Sequence, residues 1–120
     1  MTAEEWKEKL QIFSGATARY SMARTTHRTW LPAREAVQVK VVALFRVEAI
    51  EAEEGAVAVR GDGREIRIPV AEAYMGLDEK HRFFLAGWPD EEAYHYLRLS
   101  DEPLEPSRRD PWHQYLGRWM

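Results

Sequence analysis

Apolar residues recur at three- and four-residue steps near the N-terminus and at two-residue steps beyond residue 36, which divides the chain into a leading helix and a β-rich body. Thr2-Ala3-Glu4-Glu5 forms a capping box, in which the threonine oxygen takes an orphan amide and Glu5 reaches back. Trp6, Leu10 and Phe13 follow as one stripe and Ser14-Gly15 supplies a stop, so the spacing predicts a helix over 2–13. Residues 37–49 alternate, with Val37, Val39, Val41, Ala43, Phe45, Val47 and Ala49 on one side and Gln38, Lys40, Arg46 and Glu48 on the other, which predicts one long strand. Ile50 breaks that phase. A turn at Glu54-Gly55 sets Ile50 opposite Val59 and Ala52 opposite Val57, and an extra residue near 48–50 reconciles the halves as a bulge that bends the strand.

A second hairpin is centred on Asp62-Gly63, a pair suited to the positive dihedrals of a type I′ turn. It sets Val59 against Ile66 and Val57 against Ile68 on the core side, and Arg60 against Glu65 and Ala58 against Arg67 on the wet side. Residues 70–76 fit one helical turn ended by Gly76. HRFFLAGW and AYHYLRL then read as two strands around Pro89-Asp90-Glu91-Glu92, although Asp90-Glu91-Glu92 also fits a helix start. Regular structure should lapse over 100–110, where prolines interrupt the chain. A short helix follows, capped by Asp110 with Pro111 in its first turn, and with Trp112, Tyr115, Leu116 and Trp119 on one face.

These elements make the fold α+β: an N-terminal helix, a small five-stranded antiparallel barrel left open where that helix covers it, and a short C-terminal helix. The 120 residues form a single domain, with helix and basic arm in 1–34, a β-rich core in 35–100, and a linker and aromatic tail in 101–120. The order of three strands, short helix and two strands also suits an oligonucleotide-binding barrel.

Composition narrows the setting. The chain has no cysteine, so disulfides, thiolate nucleophiles and thiolate metal sites are excluded; with a charged N-terminus and no apolar run long enough to span a bilayer, the expectation is a cytoplasmic protein with no membrane contact. Asparagine is absent and 13 of the 17 basic residues are arginine, a composition shared by thermophile proteins and by products of GC-rich genomes.

Charge changes the picture further, because a formal net charge of -3 conceals a strong asymmetry. Lys9, Arg19, Arg24, Arg28 and Arg34 lie in a stretch without a carboxylate, so a phosphate backbone would meet a locally positive arm. In that arm Tyr20 and Trp30 are suited to stacking on bases, and Ser21, Thr25, Thr26 and Thr29 to donating to phosphate oxygens. The competing expectation is that Arg19, Arg24 and Arg28 pair with Glu48, Glu51, Glu53 and Glu54 of the acidic body. Tyr94, Tyr96 and Arg98 share one face of the last strand, a stacking platform if exposed and the capped edge of a core if not. Trp112, Tyr115 and Trp119 are candidate partner anchors or lids over the core.

His27, His81, His95 and His113 are scattered without metal-ligand spacing, Ser14, Ser100 and Ser107 lack a nucleophile-elbow setting, and the glycines of RGDGR sit in a turn. The sequence therefore assigns no catalytic residue, no metal and no cofactor, and gives no support for an enzyme.

Gly63-Arg64-Glu65-Ile66-Arg67-Ile68-Pro69, Gly76-Leu77 and the run Phe83-Phe84-Leu85 together resemble the AbrB/SpoVT swapped-hairpin pattern over residues 57–99, with Glu65 as an extra residue inside the motif. The resemblance implies an intertwined dimer that binds DNA, with Arg64 as the contact at the matching position and Arg60 and Arg67 beside it. A self-closed barrel instead implies a monomer. The leading expectation is a non-enzymatic nucleic-acid-associated module that favours single strands, using Arg19, Tyr20, Arg24, Arg28, Trp30, Arg64, Arg67, Tyr94, Tyr96 and Arg98. Its rival is a protein-interaction factor, an inhibitor or assembly subunit, that binds through the acidic barrel and the tryptophan-rich tail.

Overall fold

A computed structural model describes residues 1–24, 38–91 and 93–104, with backbone alone for 23–24 and 38–41. The capping box forms as the sequence requires: Thr2 Oγ1 accepts from the Glu5 amide and Glu5 Oε1 from the Thr2 amide. Helix α1 (Ala3–Leu10) passes into a 3-10 turn at Gln11–Phe13, and Gly15 turns the chain with a φ of 81°. Trp6, Leu10 and Phe13 are the stripe that docks. Leu10 and Phe13 are fully buried, Trp6 meets Phe84 edge-on and Phe13 lies tilted against the same ring.

Eight strands follow in two antiparallel sheets: β1 (Thr17–Arg24), β2 (Gln38–Arg46), β3 (Ala49–Glu53), β4 (Ala56–Gly61), β5 (Arg64–Pro69), β6 (Tyr74–Asp78), β7 (Phe83–Pro89) and β8 (Tyr94–Ser100). The five-stranded sheet has the order β2-β1-β8-β7-β6 and the three-stranded sheet the order β3-β4-β5. The expected small, open five-stranded barrel is therefore corrected to eight strands in two sheets facing one core, with α1 packed on β3 and β4. The hairpin registers stand as expected, with Ile50 opposite Val59, Ala52 opposite Val57, Val59 opposite Ile66, Val57 opposite Ile68 and Arg60 opposite Glu65. Asp62 and Gly63 both take positive φ at that second turn.

The single long strand over 37–49 is two strands that belong to different sheets. Val47 and Glu48 carry the chain across: the Val47 amide donates to Ala16 of one sheet's root and the Glu48 amide to Arg60 of the other sheet. Gly61 makes the crossing close, since a Cβ placed there would lie 1.9 Å from the Arg46 carbonyl oxygen. The irregularity lies elsewhere than residues 48–50. Tyr20 pairs with Ala43 and Ser21 with Val41, so Val42 is the extra residue and stands 46% exposed. Two further expectations change. Residues 70–76 form a tight turn followed by β6 rather than one helical turn, and Gly76 sits inside that strand opposite Leu85. Most consequentially, the first half of the supposed irregular basic arm is β1, a central strand held by β2 on one edge and β8 on the other.

The inner face of the large sheet supplies Ala18, Ala43, Phe45, Leu97, Leu99, Phe84, Ala86 and Trp88 to the core, facing Ile50, Val57, Val59 and Ile68 of the small sheet. Its other face is closed as well: Thr17, Arg19, Ser21, Leu85, Tyr94, Tyr96 and Arg98 are buried. The expected tail helix with Trp112, Tyr115 and Trp119 lies outside the described residues, as do Arg28 and Trp30 of the arm. No helix among the described residues is long and apolar enough to cross a membrane.

Candidate functional site on the strand pair β1 and β8

Pairing of β1 with β8 brings residues nearly eighty positions apart in sequence into direct register and gathers polar chemistry on both faces of one strand pair. Arg19 faces Arg98 across the ladder. Both guanidinium groups turn to the face away from the main core, where they are 2% and 4% exposed, and both meet the carboxylate of Glu102 just beyond β8. Arg19 Nη2 donates to Glu102 Oε2 at 2.9 Å and Arg19 Nε to Oε1 at 3.4 Å. Arg98 Nε donates to Oε1 at 2.9 Å, and its Nη2 reaches both oxygens at 2.7 Å. Ser100 Oγ donates to Oε1 at 3.2 Å, while Thr17 Oγ1 donates to the Glu102 main-chain oxygen at 2.5 Å. Burial pushes the Glu102 carboxyl upward, but the hydrogen bonds and charges of Arg98 and Arg19 outweigh it and hold the group below its ordinary value.

On the opposite face, a cluster of three mutually contacting rings spans three strands, with Tyr20 and Trp88 themselves 6.4 Å apart. Trp88 of β7 faces His95 of β8, and Tyr20 of β1 lies diagonally beyond it. The three planes are nearly parallel, with 5.6 Å between the Trp88 and His95 centroids and 5.8 Å between His95 and Tyr20. Tyr20 Oη lies 2.5 Å from His95 Nδ1, and His95 Nε2 is hydrogen-bonded to Asp90 Oδ2. Because a carboxylate can only accept, Nε2 carries a proton toward Asp90, and in the neutral imidazole Nδ1 is then the acceptor for the tyrosine hydroxyl. Asp90 is fixed by its own turn, where Oδ1 takes the Ala93 amide at 2.8 Å.

A hydroxyl, an imidazole and a carboxylate in this order share the connectivity of a nucleophilic triad. The electrostatics differ. Burial, and then the Asp90 charge, push the Tyr20 hydroxyl above its ordinary value, so it remains a neutral donor instead of an activated nucleophile. What the cluster does is tie the Pro89–Asp90 turn to β1 at the end of the sheet where β1 finishes.

The site residues expected from sequence divide accordingly. Arg19 and Tyr20 belong to a central strand rather than an arm, and the structure joins Arg19 to Arg98 and Tyr20 to His95. Tyr94, Tyr96 and Arg98 do share a face, but that face is buried, so the exposed stacking platform is corrected: burial presses the Tyr96 hydroxyl far above its ordinary value. Arg24 ends β1, with only its backbone described. Arg64 and Arg67 stand exposed on β5, and Arg67 pairs with Glu53 and with Glu65. Expected pairing of Arg19 with Glu48, Glu51, Glu53 or Glu54 is replaced by Glu102. Sequence reasoning missed Glu102, Asp90, His95 and Trp88. The four-residue step from Arg98 to Glu102 and the placement of Asp90 and His95 across one turn were the available signals.

No family model, no curated protein and no solved structure matches this chain.

Proposed function

We propose that the protein is an interaction module whose partner is another protein, engaged through its acidic surface. One observation carries this reading: most of the described arginines of the body are held by the body's own carboxylates. Arg19 and Arg98 meet Glu102, Arg60 meets Glu53 and Glu65, Arg67 meets the same two, Arg82 meets Asp101 and Lys7 meets Glu51. Guanidinium groups committed in this way are poor recruits for phosphates, while exposed carboxylates such as Glu4, Glu8, Glu54, Glu72 and Glu79 are left to set the outer field.

Capture from native lysate with and without nuclease tests it. The expected result is a partner that survives nuclease treatment and elutes with salt; recovery that disappears with nuclease overturns the reading. A nucleic-acid role is the second reading, favoured by Arg28 and Arg34 between β1 and β2 and by Arg24 at the end of β1. Replacing Arg24 and Arg28 by Ala then lowers affinity for a single-stranded oligonucleotide and flattens its salt slope by about two contacts. Arg19 does not belong in that test, being sealed within the sheet.

A further inference from the structure

We propose that Arg19 and Arg98 form a binding site for a planar carboxylate, and that Glu102 is its exchangeable resident. The proposal goes beyond the interaction reading above and does not depend on it. The sheet brings the two guanidinium groups together: Arg19 and Arg98 are direct partners on adjacent central strands, and both side chains lie buried beneath Glu102. Glu102, in contrast, lies outside regular structure, and its carboxylate is held entirely by side chains of β1 and β8. Its side chain is 21% exposed while the arginines beneath are nearly sealed, which is the relation of a stopper to a socket.

A second observation points the same way. Arg19 Nη1 is buried and has no hydrogen-bond partner, so Glu102 leaves part of the donor set unused. A buried donor without a partner is costly, and a triad kept only for stability is readily matched by apolar side chains of similar volume. A ligand carboxylate without the glutamate's chain tether can shift toward the Nη1–Nη2 edge of Arg19, which Glu102 on the Nε–Nη2 edge leaves unused. Planarity selects the class: two guanidinium forks sharing the two oxygens of one carboxylate suit that group better than a tetrahedral oxyanion. Competition from Glu102 weakens ligand binding by the fraction of time the socket is open.

The test uses acetate as probe, with phosphate and chloride at matched ionic strength, and follows the Nε–Hε resonances of Arg19 and Arg98 by nuclear magnetic resonance together with thermal stability. In the wild-type protein, acetate is expected to move both resonances saturably at high concentration. In Glu102→Ala the same shifts should saturate at concentrations at least tenfold lower and be accompanied by a rise in Tm that chloride does not give. Glu102→Ser, which also empties the socket but keeps a small polar side chain, replaces the alanine variant if that variant fails to fold. Absence of a saturable acetate response in the wild-type protein overturns the proposal and leaves Glu102 as a fixed brace. A response to phosphate in preference to acetate overturns the assignment of a carboxylate.

Discussion

Glu102 concentrates the energetics of the outer face of the sheet in one carboxylate. Its folded-state pKa is depressed, so its contribution to stability is complete above the ordinary carboxylate value and is lost as pH falls through the lower folded value. Glu102→Gln should therefore lower stability at neutral pH on the order of 3 kcal/mol, by leaving two sealed guanidinium groups without their counter-charge. The difference from wild type should shrink as the pH is taken below about 4, which urea melts at stepped pH would measure. Tyr20→Phe is milder. It keeps the ring stack but removes the hydroxyl from His95 Nδ1, for an expected loss of about 1 kcal/mol by the same melts. At this scale the sequence was legible only where partners are near in sequence. Arg60 with Glu65 could be read from one hairpin, whereas Arg19 with Arg98 could not, because nothing within either segment announces that β1 and β8 are neighbours.

The strands show which patterns carry information and which mislead. Hairpins β3–β4 and β4–β5 were legible to the residue, because their turns and their alternating valines and isoleucines agree on one register. Strand β1 was not, because Thr17, Arg19 and Ser21 look like a wet face yet are buried, and alternation marks a strand only when one face meets solvent. The long run through Val47 failed for the opposite reason: its apolar alternation is real, but the bulge at Val42 and the crossing at Val47-Glu48 break it into pieces that serve two sheets. Gly61 guards that crossing. Gly61→Ala should cost about 3 kcal/mol or more, since the new methyl meets backbone that cannot yield. Gly55→Ala, in an open turn with a φ of 70°, should cost about 1–2 kcal/mol from backbone strain alone. Comparing the two by chemical denaturation separates steric closure from turn preference.

As a whole molecule, the α+β class and the helix at one end were visible in the sequence, and the division of the strands between two sheets was not, because it depends on which edges meet once the chain has turned back on itself. The hydrophobic core is assembled from α1 and both sheets of a single chain. Thermal melts over a hundredfold range of protein concentration should accordingly give one Tm; a Tm that climbs with concentration would instead favour the intertwined dimer implied by the swapped-hairpin resemblance. The pairing of β1 with β8 also has a consequence in time. Roughly seventy residues separate the end of β1 from the start of β8. During synthesis at about 5–20 residues per second, the emerging strand β1 waits several seconds with one whole edge of amides and carbonyls open to other chains. Throughout that interval Arg19 projects, unburied and charged, from the strand that is waiting. The same side chain that later lines the socket filled by Glu102 thus serves the nascent polypeptide as a gatekeeper against adhesion to its neighbours.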